Sequence, residues 1–208
     1  MKTRAAIAYE VNQPVAIEDI EVDPPRQGEV LVKVAASGVL SKNVLIIHGN
    51  YLDAADIQSV ARSGASLVHC PRSHRYFGHV DFRFSDLESA GVNLCLGTDS
   101  LATMREPDAK LDLFSEMRLF QQRHPELFSE QLLQMATTHP AAALGLEGCV
   151  GEIVAGAFAD LAVIPFAGSI ESAVAAVVEH SGEVQRVMID GQWQWPEPSS
   201  PVDHVQQS

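Results

Sequence analysis

The sequence predicts an α/β fold built on a parallel sheet, with a β-rich segment at the N-terminus and a small β segment near the C-terminus. Three observations carry that prediction. From Asn43 onward, short apolar runs alternate with amphipathic stretches of helical spacing. The runs are continuously apolar, as in strands covered on both faces. Residues 1–37 instead alternate apolar and polar side chains with a period of two, the mark of half-buried strands.

The N-terminal segment reads as a small β-meander: AAIAYE, then VAIEDIEV, then EVLVKVAAS after the turn-forming PPRQG. The texture changes near Ser37 to Leu40, which sets a boundary after residue 39. Three β/α units follow. The first is the strand NVLIIHG with the helix AADIQSVARSG. The second is the strand ASLVHCP with a long loop and the helix SDLESAG. The third is the strand VNLCLGTDS with a loop and the helix LDLFSEMRLFQQRH. Gly64 and Gly91 stand just past helices, where a left-handed cap is wanted. A further helical stretch, SEQLLQMATTHPAAALG, contains Pro140, which is expected to open a second helix rather than interrupt the first. Residues 40–146 form this α/β part. In residues 147–195, VGEIVAG and ADLAVIPF read as strands, SIESAVAAVVEH as a helix and VQRVMIDGQWQW as a closing strand pair; residues 196–208 are a polar, proline-rich tail expected to be disordered.

Composition narrows the function. With 46% hydrophobic and 20% charged residues, the 208-residue chain has the make-up of a folded domain. A net charge of −13 would repel phosphate backbones and anionic lipid, so a small-molecule or protein partner is expected, with neither nucleic acid nor membrane. Cys70, Cys95 and Cys149 are odd in number and form no CxxC or CxH pattern; reduced thiols and a cytoplasmic location are the expectation. No segment reaches the roughly 18 apolar residues of a membrane span, and the apolar run at residues 5–8 is too short for a signal peptide. No phosphate-binding glycine loop and no GxSxG elbow occur.

In a parallel β/α arrangement the working side chains gather at the C-terminal ends of the strands. His48 ends the first apolar run of the α/β part and Asp99 follows the third. Each has a bland alternative: a histidine after a strand is often a hydrogen-bonding loop residue, and an Asp in GTDS is often a cap or turn former. Their equivalent placement on two strands of one sheet favours a shared site. His69, His74 and His79 recur at five-residue intervals; His69 in the strand is expected to point away from a loop site that His74 could enter. His124, His139, His180 and His204 fall in helical or tail contexts. Cys70 and Cys95 read as small buried hydrophobes. Asp112 and Glu116, four residues apart, share one face of the third-unit helix, with Arg118 off it; a solvated helix face is the expectation.

The series HGNYLDAADIQSVARSGASLVHCPRSH, AGVNLCLGTDSLAT, LDLFSEMR, MATTHPAAALG, VGEIVAGAFADLAVI and VMIDG resembles the amidohydrolase superfamily, in the flavour of its adenosylhomocysteine, aminofutalosine and guanine deaminase-like members. The resemblance covers about three quarters of the chain and implies the last three of the eight units of a TIM barrel. It implies that His48 matches the sixth-strand histidine, which orients a metal-bound hydroxide or ligates a second metal. Asp99 matches the eighth-strand aspartate, a metal ligand that also handles the proton of the attacking water. The bound zinc or iron would lower the water's pKa. Arg72, Ser73 and His74 match the loop that touches substrate, and the substrate class implied is a small aromatic amine.

The chain also departs from that pattern. No histidine precedes His48, so the HxH pair of the first strand is absent, and the fifth-strand histidine and its glutamate have no counterpart. Residues 1–39 resemble a different family, the zinc-containing medium-chain alcohol dehydrogenases of the glutathione-dependent formaldehyde dehydrogenase class, but Leu40, Ser41 and Lys42 stand where that family's zinc-binding cysteine would begin. The leading expectation is a metal-dependent hydrolase of non-peptide C–N bonds, incomplete as a single chain and associating as a homo-oligomer or with a complementing barrel fragment. A non-catalytic fusion remnant or binding module is the alternative, with a dehydrogenase behind it.

Overall fold

The computed structural model of the chain describes residues 2–7, 16–21, 40–103 and 110–195, in two units that divide between Val39 and Leu40. In the first unit, β1 (Lys2–Ile7) pairs antiparallel with β2 (Ala16–Glu21), Lys2 opposite Glu21. The third strand expected over residues 29–37 and the expected disorder of 196–208 lie outside the described residues.

The second unit holds a parallel sheet of β3 (Leu45–Ile47), β4 (Ser66–His69) and β5 (Leu94–Leu96), in that spatial order. Helix α1 (Ala54–Ser63) starts with a reciprocal capping box between Asp53 and Asp56 and ends on Gly64 at φ 70°, a backbone state that costs glycine nothing. Helix α3 (Phe84–Ser89) follows β4, and α4 (Leu113–Arg123) follows β5, its first turn capped by Asp112 accepting from the Phe114 and Ser115 N–H groups. The apolar faces of these helices close on the sheet: Val60, Leu67, Leu87, Leu94 and Phe120 are buried in one cluster. Helix α5 (Ser129–Ala136) adds Leu132 and Met135, and α7 (Ala173–Glu179) adds Val178. A new helix, α6 (Thr138–Leu144), begins just before Pro140. Its His139 places Nδ1 2.9 Å from the Leu94 carbonyl oxygen, and the Asn93 side chain donates to the His139 carbonyl, so α6 is tied to β5.

An antiparallel sheet of β6 (Leu161–Val163), β7 (Arg186–Ile189) and β8 (Gln192–Trp195) completes the described fold. Asp190 and Gly191, both at positive φ, make the two-residue turn between its last strands.

Two expectations are corrected. The segment VGEIVAG is not a strand: residues 150–156 run as turns and bends, with Gly151 at φ 88° and Gly156 at φ 95°, outside the extended region a strand needs. The stretch after β4 is not all loop either. Pro71–Phe77 forms helix α2, with Pro71 at its first position and Gly78 as its left-handed cap, the asymmetry that marks a helix's two ends.

Candidate functional site at the ends of three parallel strands

His48 directly follows β3 and Asp99 lies just past β5, so both stand at the C-terminal ends of strands separated by β4. Their side chains converge, His48 Nε2 lying 3.8 Å from Asp99 Oδ2, and they are 36% and 26% exposed. Both backbones are unusual. Among the described residues only His48 (φ 73°), Asp99 (φ 56°) and Asp190 (φ 48°) are non-glycine residues at positive φ. That conformation costs roughly 1–3 kcal/mol where the side chain does not favour it, and such strain clusters at working sites. Asp190 has a turn to account for it; the other two face each other.

The three residues named after β4 take separate places. Ser73 is buried and its hydroxyl donates to Asp99 Oδ2 at 2.6 Å. His74, also buried, shares a hydrogen bond of 2.9 Å between Nδ1 and Asn50 Oδ1, linking α2 to the loop that carries His48. Arg72 turns toward α4: its Nε donates to Glu116 Oε1 at 2.7 Å, its backbone N–H to Glu116 Oε2 at 2.9 Å, and Nη2 to the Lys110 carbonyl at 2.8 Å. Its guanidinium thus holds α2 against α4, one residue before the serine that meets Asp99.

Glu116 corrects the sequence reading. It is wholly buried rather than on a solvated face. Burial pushes its carboxyl up from the ordinary value, while the two Arg72 hydrogen bonds and the Arg72 charge pull it down. The signal that could have found it is its place beside Met117 and four residues before Phe120, on the buried face of α4. Asp112 is spent on the helix cap.

His69 lies on the helix side of the sheet, stacked on Phe82 with ring centroids 3.8 Å apart. Burial first, and the neighbouring His74 second, hold its pKa down at about 3, so it stays neutral; its Nδ1 has no hydrogen-bond partner. Burial pushes the Cys70 and Cys95 thiols up to about 12 and about 11, far from a reactive thiolate.

The donor set can be measured against a metal. Two donors on a tetrahedral zinc, each about 2.0–2.1 Å from it, lie roughly 3.3–3.4 Å apart, close to the His48–Asp99 separation. A catalytic zinc needs about three protein ligands, and among the described residues no three His, Cys, Asp or Glu side chains gather to hold one. The His48–Asp99 spacing fits two of the donors of such a site, and no third gathers with them among the described residues.

The amidohydrolase family pattern matches residues 18–194, most of the chain. The chain belongs to the amidohydrolase family. This amidohydrolase is 30% identical over 189 residues to the 5-methylthioadenosine/S-adenosylhomocysteine deaminase of Pyrococcus abyssi, a match covering 84% of this chain and 43% of that protein. Among solved structures, it is similar to an adenosine deaminase from Xanthomonas campestris with bound zinc, at 29% identity and a TM-score of 0.64, over 74% of this chain and 37% of that one. It is also similar to the aminofutalosine deaminase of Helicobacter pylori, at 28% identity and a TM-score of 0.63, over 72% of this chain and 38% of that one. The amidohydrolase chain thus spans less than half the length of these relatives. The matched region begins inside the N-terminal segment, and no helix among the described residues is long and apolar enough to cross a membrane.

Proposed function

We propose that the chain carries the C-terminal share of a metal-dependent hydrolase of non-peptide C–N bonds, a deaminase acting on small heteroaromatic amines. The observation that carries this reading is the convergence of His48 and Asp99, both at positive φ, on the ends of two strands of one parallel sheet. The deaminases to which the chain is similar support the reaction class. On this reading β3, β4 and β5 are the last three of eight barrel strands, and the family's metal is zinc or iron.

In the reading each residue has a task of its own. The Asp99 carboxylate is a metal-facing oxygen donor and proton acceptor, held in one rotamer by the Ser73 hydroxyl. His48, across from it, supplies at most one further nitrogen to the metal site and orients the attacking water. Arg72, Ser73 and His74 form the substrate side, with Arg72 acting through its backbone anchor on Glu116. Because His48 and Asp99 fall short of the ligands that a hydroxide-generating metal needs, the single chain is weakly active or inactive. That shortfall also favours a second reading, a non-catalytic binding module that keeps the family's fold. A dehydrogenase is the least supported reading, because the amidohydrolase pattern already takes in residues 18–39.

The test is ammonia release from adenosine, 5′-methylthioadenosine and guanine by the purified full chain with added zinc or iron. The reading expects a trace rate at most, abolished in Asp99→Asn, a variant that tolerates the positive φ. A robust rate unaffected by Asp99→Asn would move the chemistry elsewhere.

A further inference from the structure

The loop after His48 and the far end of α2 carry aromatic rings that the core does not use. Tyr51 and Phe77 are 70% and 57% exposed. They are not scattered: His79 stands between them, its ring centroid 5.5 Å from Tyr51 at an interplanar angle of 89° and 5.6 Å from Phe77 at 35°. The Tyr51 hydroxyl and His79 Nδ1 share a hydrogen bond of 2.8 Å, which holds the two rings in their edge-to-face setting. Isolated exposed rings need no explanation, whereas these two are joined through the half-buried His79 into one cluster.

The patch is tied to the site through two hydrogen bonds. Asn50, beside Tyr51, bonds His74 on α2, and Ser73 on the same turn of α2 bonds Asp99. His74 in turn lies against His79, with ring centroids 5.5 Å apart. Helix α2, which presents Phe77, is therefore also the helix that holds Asp99, and the Tyr51 loop follows His48 at the pole of the sheet where ligands of parallel β/α proteins bind.

We infer that Tyr51, Phe77 and His79 form a stacking platform for the planar ring of the substrate. The ligand class this fits is a heteroaromatic amine of nucleobase type, since a π-face meets an aromatic side chain whatever the ring's hydrogen-bonding pattern. A sugar or an aliphatic amine offers no such face. The inference deepens the deaminase reading and rests on it for the identity of the ligand, while the binding it describes requires neither metal nor turnover.

The experiment is equilibrium binding of adenosine to the full chain by saturation-transfer NMR, with ribose and cyclohexylamine as ring-free probes. Saturable adenosine binding is expected, weakened about tenfold or more by Tyr51→Ala and by Phe77→Ala, with little change in Tyr51→Phe and no saturable binding of the ring-free probes. Both positions are exposed, and a thermal melt of each variant checks that the fold is retained. Adenosine binding kept in Asp99→Asn supports the platform even where deamination fails, which separates this inference from the catalytic one. Absence of saturable adenosine binding, equal affinity in Tyr51→Ala and Phe77→Ala, or binding of ribose or cyclohexylamine as tight as that of adenosine would overturn it.

Discussion

The two outer strands of the parallel sheet carry the two halves of the candidate site, and they are built differently. On the β5 side all three strand residues are buried, α6 bonds the Leu94 carbonyl, and Asp99 is held by Ser73. On the β3 side Leu45 and Ile47 are 38% and 51% exposed, and among the described residues no strand pairs with the outer edge of β3. The difference teaches that Asp99 is pre-positioned by the chain's own packing. His48 stands where an unpaired sheet edge invites association.

The largest effect is expected from the buried pair behind Ser73. Glu116→Ala leaves the Arg72 guanidinium, 12% exposed, without its carboxylate, and removing one partner of a buried ion pair costs about 3–5 kcal/mol. Urea unfolding of the second-unit core should show that loss. If Glu116→Ala unfolds at the parent's midpoint, the β5 side is not held as described.

Acid should act next. His69 has its pKa lowered to about 3, below the unfolded value, so the unfolded chain binds more protons between these two values. The stability this contributes is whole above the unfolded pKa and is lost as pH falls toward 3. It amounts to roughly 2 kcal/mol between pH 7.5 and pH 5. His74, also lowered, adds with the same sign; Glu116, raised by burial, opposes it, its penalty growing as pH rises through its folded value. Denaturation midpoints at the two pH values should therefore differ in the parent and differ less in His69→Phe, which keeps an aromatic ring against Phe82. An unchanged gap in that variant would assign the pH dependence to other groups.

The smallest effect belongs to the open side. Ile47→Thr removes apolar surface that is already half exposed and is expected to change stability by no more than about 0.5 kcal/mol. Leu67→Ala, on the neighbouring strand and fully buried, should cost about 2–5 kcal/mol. Equal costs at the two positions would mean that the β3 edge is covered in solution.

Much of this sheet was legible because its signals are local. The apolar runs, the polar residue closing each, and Gly64 past α1 all lie within a few residues of what they specify. Helix α2 was not legible as a helix: its seven residues between Pro71 and Gly78 are too few for a helical period to stand out from a loop. Glu116 was harder to read, because its environment comes from Arg72, which lies on another helix and is brought there only by the sheet. Counting charges four residues apart on α4 cannot show that one of them is buried. The run VGEIVAG misled in the opposite way: its valines and isoleucine favour a strand, and the left-handed glycines that prevent one look the same in sequence as those that do not.

On the proposed function, His48 and Asp99 are this chain's own contribution to a metal site that the described residues leave incomplete. Calorimetric titration of zinc into the dialysed full chain, beside His48→Asn and Asp99→Asn, tests it most directly. The account predicts weak binding that is lost in either variant. Stoichiometric zinc held equally by the parent and both variants would contradict it.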